Sequence, residues 1–267
     1  MQYPIYQVDA FTSALFGGNP AAVMPLEAWL DDGVMQAIAA ENNLPETAFF
    51  VARGADYELR WFTPAAEVDL CGHATLATAH VLIEHLAYAG EALVFHTRSG
   101  ALRVQRSGGA ITLDFPAYDL EAVAVDRTIA AVLGSPVPQA ACRVAGGSKL
   151  VLVYASQADV AALAPDFGAL KTACESNVIA TAPGQDCDFV SRFFAPRIGI
   201  DEDPVTGSAH CALVPYWARQ LDKSHLRARQ ISARGGELDC ELRGARVLMS
   251  GRAVTYMQGM VGLPTAR

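Results

Sequence analysis

The chain of 267 residues is 52% hydrophobic and 18% charged, which fits a compact protein with a large core and excludes a disordered chain. Its net charge of −8 argues against a nucleic-acid partner, because such a partner requires a basic face.

The N-terminal segment, the apolar runs and the cysteines indicate the cellular location of the protein. The N-terminus has neither a basic start nor an apolar stretch, so we expect no signal peptide. No uncharged apolar run reaches the length of about 18 residues that a membrane span requires, so we expect no membrane association. The six cysteines are scattered without the spacing of a metal site, which favours reduced thiols in the cytoplasm and no metal.

The first half is predicted to consist mainly of strands with two helices. A helix over residues 31–42 begins with acidic side chains, as the positive end of its dipole favours. A second helix over residues 72–88 has no charged residue from Leu70 to Ile83, so protein should enclose it on all sides. Strands are predicted over residues 3–11, 21–24, 57–62, 93–95, 101–106 and 111–115.

The second half is predicted to repeat this order. Its own apolar helix begins near Gly207 and has no charged residue from Pro204 to Ala218. Pro215 lies inside this helix and should kink it, since proline lacks the N–H that would bond to Cys211. Short helices are predicted over residues 127–133, 160–163 and 167–173, and strands over residues 141–145, 149–154, 177–182, 187–194, 229–233, 237–242, 245–249 and 254–261.

The two apolar helices have similar sequences before them. Each follows a short acidic turn that contains a glycine, and each turn follows an Arg-aromatic-aromatic segment. The paired segments are Arg60-Trp61-Phe62-Thr63-Pro64 with Asp69-Leu70-Cys71-Gly72-His73, and Arg192-Phe193-Phe194-Ala195-Pro196 with Asp203-Pro204-Val205-Thr206-Gly207-Ser208-Ala209-His210.

The fold class predicted from this repeat is α+β, with two pseudo-symmetric halves. A helix without a polar face is enclosed only if its sheet curves round it, so each half should be a barrel-like sheet around a central buried helix. The N-terminal half is expected to span residues 1–116 and the C-terminal half residues 117–267. The last strand could cross back to the first half.

The start of a buried helix is a candidate binding site. Its first amides have no intrahelical partner and its dipole is positive, so it favours an anion. Two such starts, one in each half, could face one another across a cleft and hold a carboxylate or a developing oxyanion. Glycine at a helix start is often only a tight turn, but the duplication favours a site.

Glu46 is a candidate for acid–base chemistry. Pro45 forces an extended entry, so the carboxylate lies at the mouth of an apolar strand that includes Phe49, Phe50 and Val51. Partial removal from water would suit general acid–base catalysis. A solvated residue at a strand end is the alternative.

Five motifs together resemble the phenazine-biosynthesis PhzF-like family along nearly the whole chain. They are Gly18-Asn19-Pro20-Ala21-Ala22-Val23, Leu44-Pro45-Glu46-Thr47-Ala48-Phe49, Phe62-Thr63-Pro64, Asp69-Leu70-Cys71-Gly72-His73-Ala74-Thr75 and residues 203–210. The resemblance implies the diaminopimelate-epimerase fold, with the active site between two pseudo-symmetric halves.

The resemblance also implies an isomerase that needs no cofactor and moves a proton on a small cyclic carboxylate such as trans-2,3-dihydro-3-hydroxyanthranilate. Glu46 would be the general acid/base. Its assistants would be His73, Asp203 and Ser208, which would position the substrate or help the proton transfer. The substrate-binding positions would be Cys71, Gly72, Thr206 and Gly207, with backbone amides at the two helix starts holding the carboxylate. A homodimer is a further possibility that the resemblance raises.

Departures from related epimerases leave two other functions open. Those enzymes use one cysteine at each helix start, whereas here Cys71 matches the first position and Pro204 the second, with Thr206 close by. An epimerase, racemase or dehydratase acting through Cys71 and Thr206 is therefore one alternative, and a small buried side chain is the favoured role of Cys71. A non-catalytic protein that binds a small carboxylate is the other.

Overall fold

The computed structural model describes residues 1–134 and 136–264. Within these residues no helix combines the length and the apolar character needed to cross a membrane.

The chain up to residue 116 forms eight strands and two helices. They are β1 (Gln2–Ala10), β2 (Asn19–Leu26), α1 (Asp32–Asn42), β3 (Glu46–Arg53), β4 (Asp56–Phe62), β5 (Glu67–Val68), α2 (Gly72–Glu84), β6 (Ala92–Thr97), β7 (Gly100–Ser107) and β8 (Ala110–Pro116).

The rest of the described chain adds ten strands and four α-helices. They are β9 (Leu120–Val123), α3 (Arg127–Val132), β10 (Ala140–Val144), β11 (Lys149–Val153), α4 (Gln157–Ala161), α5 (Phe167–Ala173), β12 (Asn177–Pro183), β13 (Phe189–Ala195), β14 (Ile200–Asp203), α6 (Gly207–Leu221), β15 (His225–Gln230), β16 (Gly236–Arg243), β17 (Arg246–Gly251) and β18 (Ala253–Gly262). A short 3₁₀ turn, Pro196–Ile198, lies between β13 and β14.

The structure contains two compact units, which divide between Asp114 and Phe115. The first unit combines residues 1–114 with residues 250–264, and the second comprises residues 115–249. β18 belongs to the first unit, where it pairs antiparallel with β1 along its whole length. Residues 250–264 therefore belong to the first unit.

Helix α2 is the core of the first unit. The strands of this unit run in the order β18-β1-β2-β3-β4-β6-β7-β8, with β2/β3 and β4/β6 parallel and the other neighbours antiparallel. The helix packs against β1, β2, β3 and β18. Its residues from His73 to Ala79 are all buried, so the sheet curves round it as the missing polar face indicated.

The second unit repeats the same succession of pairings around α6. Its strands run β9-β10-β11-β12-β13-β15-β16, with β11/β12 and β13/β15 parallel and the other neighbours antiparallel. The α+β fold with two pseudo-symmetric halves is therefore confirmed.

Pro215 lies inside α6 and has no backbone N–H, so one hydrogen bond of the helix is missing. The carbonyl of Cys211, which would accept that N–H in an unbroken helix, instead accepts the backbone N–H of Tyr118 at 2.9 Å. The proline thus frees an acceptor that ties the segment after β8 to the central helix of the second unit.

An arginine–glutamate clamp precedes each central helix. Arg60 on β4 binds Glu67 on β5 through two nitrogens at 2.7 Å, and Arg192 on β13 binds Glu202 on β14 at 2.7 and 2.8 Å. Two-pronged contacts of this kind hold both direction and distance. The clamp holds each short strand that leads into a central helix.

Candidate active site

Glu46 and His73 lie together in the first unit. Glu46 is the first residue of β3, and His73 is the second residue of α2. Their atoms Oε2 and Nε2 are 3.0 Å apart, which is an ion-pair distance without hydrogen-bond alignment. The two side chains are only 13% and 6% exposed, so the contact is largely shielded from water. The structure thus brings together two residues that are 27 positions apart in the sequence.

The other ring nitrogen of His73 has two neighbours. Nδ1 lies 3.2 Å from Nδ2 of Asn19, which is the first residue of β2 and is fully buried. The sulfur of Cys71 lies 3.5 Å from the same nitrogen. His73 therefore contacts a carboxylate through one ring nitrogen, and a thiol and a carboxamide through the other.

The charges in this cluster follow from burial and from the neighbours. Burial raises the pKa of the Cys71 thiol to about 11, and the nearby Glu46 carboxylate adds to that rise. Burial alone would lower the pKa of His73, but Cys71 and Glu46 outweigh it and raise that pKa well above its usual value. Since the thiol is neutral near pH 7, the carboxylate is the negative charge that His73 meets there.

Glu46, Cys71 and His73 also have the composition of a metal site, with their ligand atoms all within 4.8 Å of one another. However, the imidazole turns one nitrogen to the sulfur and the opposite nitrogen to the carboxylate. The three groups thus form a compact cluster in which each ring nitrogen has its own neighbour.

The start of α2 is open to a ligand group. Its N-cap is Cys71, and no side chain caps the first turn, so Gly72 and the residues after it present amides at the positive end of the dipole. Asp69, just before this start, is exposed and accepts no capping contact from the helix.

The corresponding turn of the second unit is held by side chains. The hydroxyl of Thr206 donates a hydrogen bond to the carboxylate of Asp203. Gln230, at the end of β15, accepts the Thr206 backbone N–H at 2.9 Å and donates to the Asp203 carbonyl at 2.7 Å. Asp203 is therefore fixed in place, unlike its counterpart Asp69.

The start of α6 is likewise uncapped by any side chain, because the Thr206 hydroxyl is engaged by Asp203. Gly207 is the first residue of the helix and is buried, and Ser208 is the second and is half-buried. The amides of this first turn are again available to a ligand group.

The remaining helix histidines have structural partners. His210 is fully buried and donates from Nδ1 to the Thr206 carbonyl at 2.8 Å, and burial lowers its pKa to about 4. His80 lies 2.9 Å from the hydroxyl of Thr255, and burial lowers its pKa too.

Two buried carboxamides, Asn19 and Gln230, escaped the sequence analysis. Asn19 appears in the sequence analysis only within a family motif, without a role of its own, although its place between Gly18 and Pro20 at the start of a strand is unusual for a solvated side chain. Gln230 falls in the inward series Leu226, Ala228, Gln230 of β15, and a polar residue in a buried register is a usable signal.

A family model described as phenazine biosynthesis-like protein, PhzC-PhzF, matches residues 8–259. The chain belongs to the PhzC-PhzF family. An uncharacterized isomerase of Pseudomonas aeruginosa is 52% identical over 98% of this chain and 100% of its own length. A crystal structure of a PhzF-family phenazine biosynthesis protein from Enterococcus faecalis has a TM-score of 0.95 and 48% identity, and covers 98% of this chain and 100% of that one.

The fold extends to more distant enzymes. A hydroxyproline epimerase from Agrobacterium vitis, solved with trans-4-hydroxy-L-proline, matches 97% of this PhzC-PhzF chain and 92% of its own with a TM-score of 0.62. Its 12% identity shows the fold alone. Membership of the PhzC-PhzF family and the isomerase names of its relatives support an isomerase.

Proposed function

We propose that this protein is an isomerase in which Glu46 moves a proton between two carbons of a small carboxylate substrate. The observation that carries the proposal is the shielded 3.0 Å contact between Glu46 and His73 at the open start of α2. A carboxylate kept from bulk water beside a histidine is suited to take up and return a proton.

The proposed reaction needs only groups that the chain supplies. The Glu46 carboxylate takes a proton from one carbon and becomes a carboxylic acid, while negative charge gathers on the substrate. Amides at the start of α2, including that of Gly72, would stabilise this charge. Glu46 then returns the proton to another carbon on the same face, so the product is an isomer and no cofactor or metal takes part.

A cyclic amino or hydroxy carboxylate similar to trans-2,3-dihydro-3-hydroxyanthranilate is the proposed class of substrate, as the family resemblance implies. Asp203 and Ser208 keep the positioning roles proposed from the same resemblance, and Thr206 and Gly207 keep their roles in substrate binding. The hydrogen bond from Thr206 would hold the Asp203 carboxylate in one orientation. A cytoplasmic location and a homodimer also stay predictions. Light scattering of the purified protein would check the homodimer.

The test is solvent isotope exchange in deuterated buffer with cyclic amino and hydroxy acids. We expect deuterium to enter at carbon, and we expect Glu46→Gln to lower the rate by about 10²- to 10⁴-fold, the usual contribution of a positioned acid/base. Glu84→Gln is the matched control, because Glu84 ends α2 and its side chain is 53% exposed. An unchanged rate in Glu46→Gln would remove this residue from its role.

The same assay separates the alternatives. An epimerase, racemase or dehydratase acting through Cys71 and Thr206 requires that Cys71→Ala abolish activity while Glu46→Gln keeps it. The pKa of about 11 at Cys71 weighs against that reaction, since a neutral thiol is a poor base. Saturable binding of a carboxylate without any isotope exchange would indicate the non-catalytic protein.

A further inference from the structure

Asn19 is placed with little freedom beside His73. It pairs with Ala10 in the β1/β2 ladder and follows Gly18, whose φ of +62° lies in the left-handed region. A Cβ at Gly18 would collide with the carbonyl oxygen of Ala10, so only glycine allows this close turn. The turn places Nδ2 of the fully buried Asn19 side chain 3.2 Å from Nδ1 of His73.

The end of the carboxamide that faces the ring decides where the imidazole proton lies. If the carboxamide nitrogen of Asn19 faces the ring, it can only donate, so Nδ1 of His73 accepts and carries no proton. The ring proton then lies on Nε2, the nitrogen that faces Glu46. In this arrangement His73 is neutral.

A positively charged His73 requires the opposite arrangement. Both ring nitrogens of an imidazolium carry protons, and a proton on Nδ1 would oppose the amide protons of Asn19. Rotation of the carboxamide by half a turn brings its oxygen to Nδ1 instead, with almost no change in shape. The charge of His73 and the orientation of Asn19 are thus linked.

The titratable groups around His73 are few. Helix α2 packs against β1, β2, β3 and β18, of which β2 and β18 contain no charged residue. The charged residue of β1 is Asp9, whose carboxylate accepts the backbone N–H of Phe16. Glu46 and Cys71 are the groups that act on His73.

We propose that Asn19 is a positioning residue that sets the charge of His73 by rotation of its carboxamide, and through that charge controls the state of Glu46. With its nitrogen toward the ring, Asn19 holds a neutral imidazole, which leaves the Glu46 carboxylate readier to accept a proton. With its oxygen toward the ring, it stabilises an imidazolium, which holds Glu46 as a partner ion. The effect on turnover rests on the function proposed above, whereas the link between Asn19 and His73 does not.

The test is nuclear magnetic resonance of protein labelled with ¹⁵N in histidine and asparagine, followed across pH. In the wild type we expect the side-chain amide signals of Asn19 to change with the same midpoint as the ring nitrogens of His73. Amide signals of Asn19 that stay constant while His73 titrates would overturn the proposal. This measurement needs no variant, so it stands even if substitution at this buried position prevents folding.

Substitution gives a second, directional result. The carboxylate of Asn19→Asp can only accept, so we expect the His73 titration to move to higher pH by about one unit or more. Asn177→Asp adds the same charge to the second unit, where Asn177 is half-buried, and should leave that midpoint unchanged. An unchanged midpoint in a folded Asn19→Asp protein would also refute the link.

The pH profile of isotope exchange shows whether the link matters for turnover. If Glu46 moves the proton, the profile of Asn19→Asp should shift in the same direction as the His73 titration. A shifted titration with an unshifted profile would refute the control of Glu46. Absence of exchange in the wild type would reject the proposed reaction, while the resonance experiment would still decide the role of Asn19.

Discussion

His73 and His210 show how surroundings set the charge of a buried histidine. His73 faces the Glu46 carboxylate, and its pKa is raised well above the usual value. His210 donates to the Thr206 carbonyl and lies near the Phe189 ring, and burial without a carboxylate lowers its pKa to about 4. The first is suited to carry charge in a site, and the second is held neutral.

His210 should make stability fall as the solution becomes acidic. Its pKa is about 4 in the folded protein and 6.5 in an unfolded chain, so between these values the unfolded state binds a proton that the folded state excludes. The stabilisation is complete above the unfolded pKa and is lost as pH falls toward the folded one. Between pH about 8 and about 5 the loss from this residue amounts to about 2 kcal/mol.

Urea unfolding of the wild type and of His210→Gln at both pH values measures this contribution. The loss of unfolding free energy on acidification should be about 2 kcal/mol smaller in the variant. Any general destabilisation by the substitution is present at both pH values and cancels. Equal losses in the two proteins would mean that His210 does not remain neutral in the folded state.

At the scale of elements, the Arg192 clamp connects several parts of the second unit. Besides its two contacts with Glu202, the guanidinium donates to the carbonyl oxygens of Val160 and Leu163 at the end of α4. Its ring neighbour is Phe194, 4.9 Å away. The side chains of Arg192 and Glu202 are 12% and 19% exposed, so each charge is stabilised by its partner more than by water.

Arg192→Met should destabilise the protein by about 3 kcal/mol, because it leaves the Glu202 carboxylate and two carbonyls without their donor. Urea unfolding would measure the change. The matched control is Arg229→Met, which breaks the exposed Arg229–Glu237 pair at 3.6 Å and should cost less than about 1 kcal/mol. Similar losses in both variants would contradict the structural role of the clamp.

At the scale of the whole molecule, the C-terminal half of the chain gives a strand to the sheet of the first unit. The second set of strands, β9 to β17, lies within the second unit apart from the last two residues of β17. β18 follows the second set but pairs with β1 in the first unit. The sheet of the first unit is incomplete without this strand from the C-terminal half, so we expect the stability of the first unit to depend on it.

A chain that ends at Arg252 lacks β18 and exposes the edge of β1. We expect its Tm to fall by more than about 10 °C, since the lost strand removes several kcal/mol at roughly 2–4 °C each. Met257→Gln is the control, because it changes a side chain that is 43% exposed and keeps the backbone pairing. Calorimetry of the three proteins is the measurement, and a truncated chain as stable as the wild type would disprove the dependence.

The sequence by itself determined the two central helices. Residues 70–83 and 204–218 lack charged side chains, and the helices begin at Gly72 and Gly207, where the motifs placed them. A helical segment without charged residues has no polar face, so the composition of the segment is enough to predict that protein encloses the helix on every side. The end of α2 was predicted at residue 88 and lies at Glu84, because Ala87 takes a positive φ and the amide of Tyr88 turns back to Leu82.

Only the tertiary structure decided which residues meet. A strand expected over residues 229–233 is instead His225–Gln230, and this register carries Gln230 inward to Thr206. The contact of Asn19 and Glu46 with His73 joins three separate segments, and its geometry depends on the parallel pairing of β2 with β3 beneath α2. The hydrophobic pattern of a segment indicates how deeply that segment is buried. The partners of a polar side chain depend instead on the register between strands that are distant in the sequence, and tertiary packing selects that register.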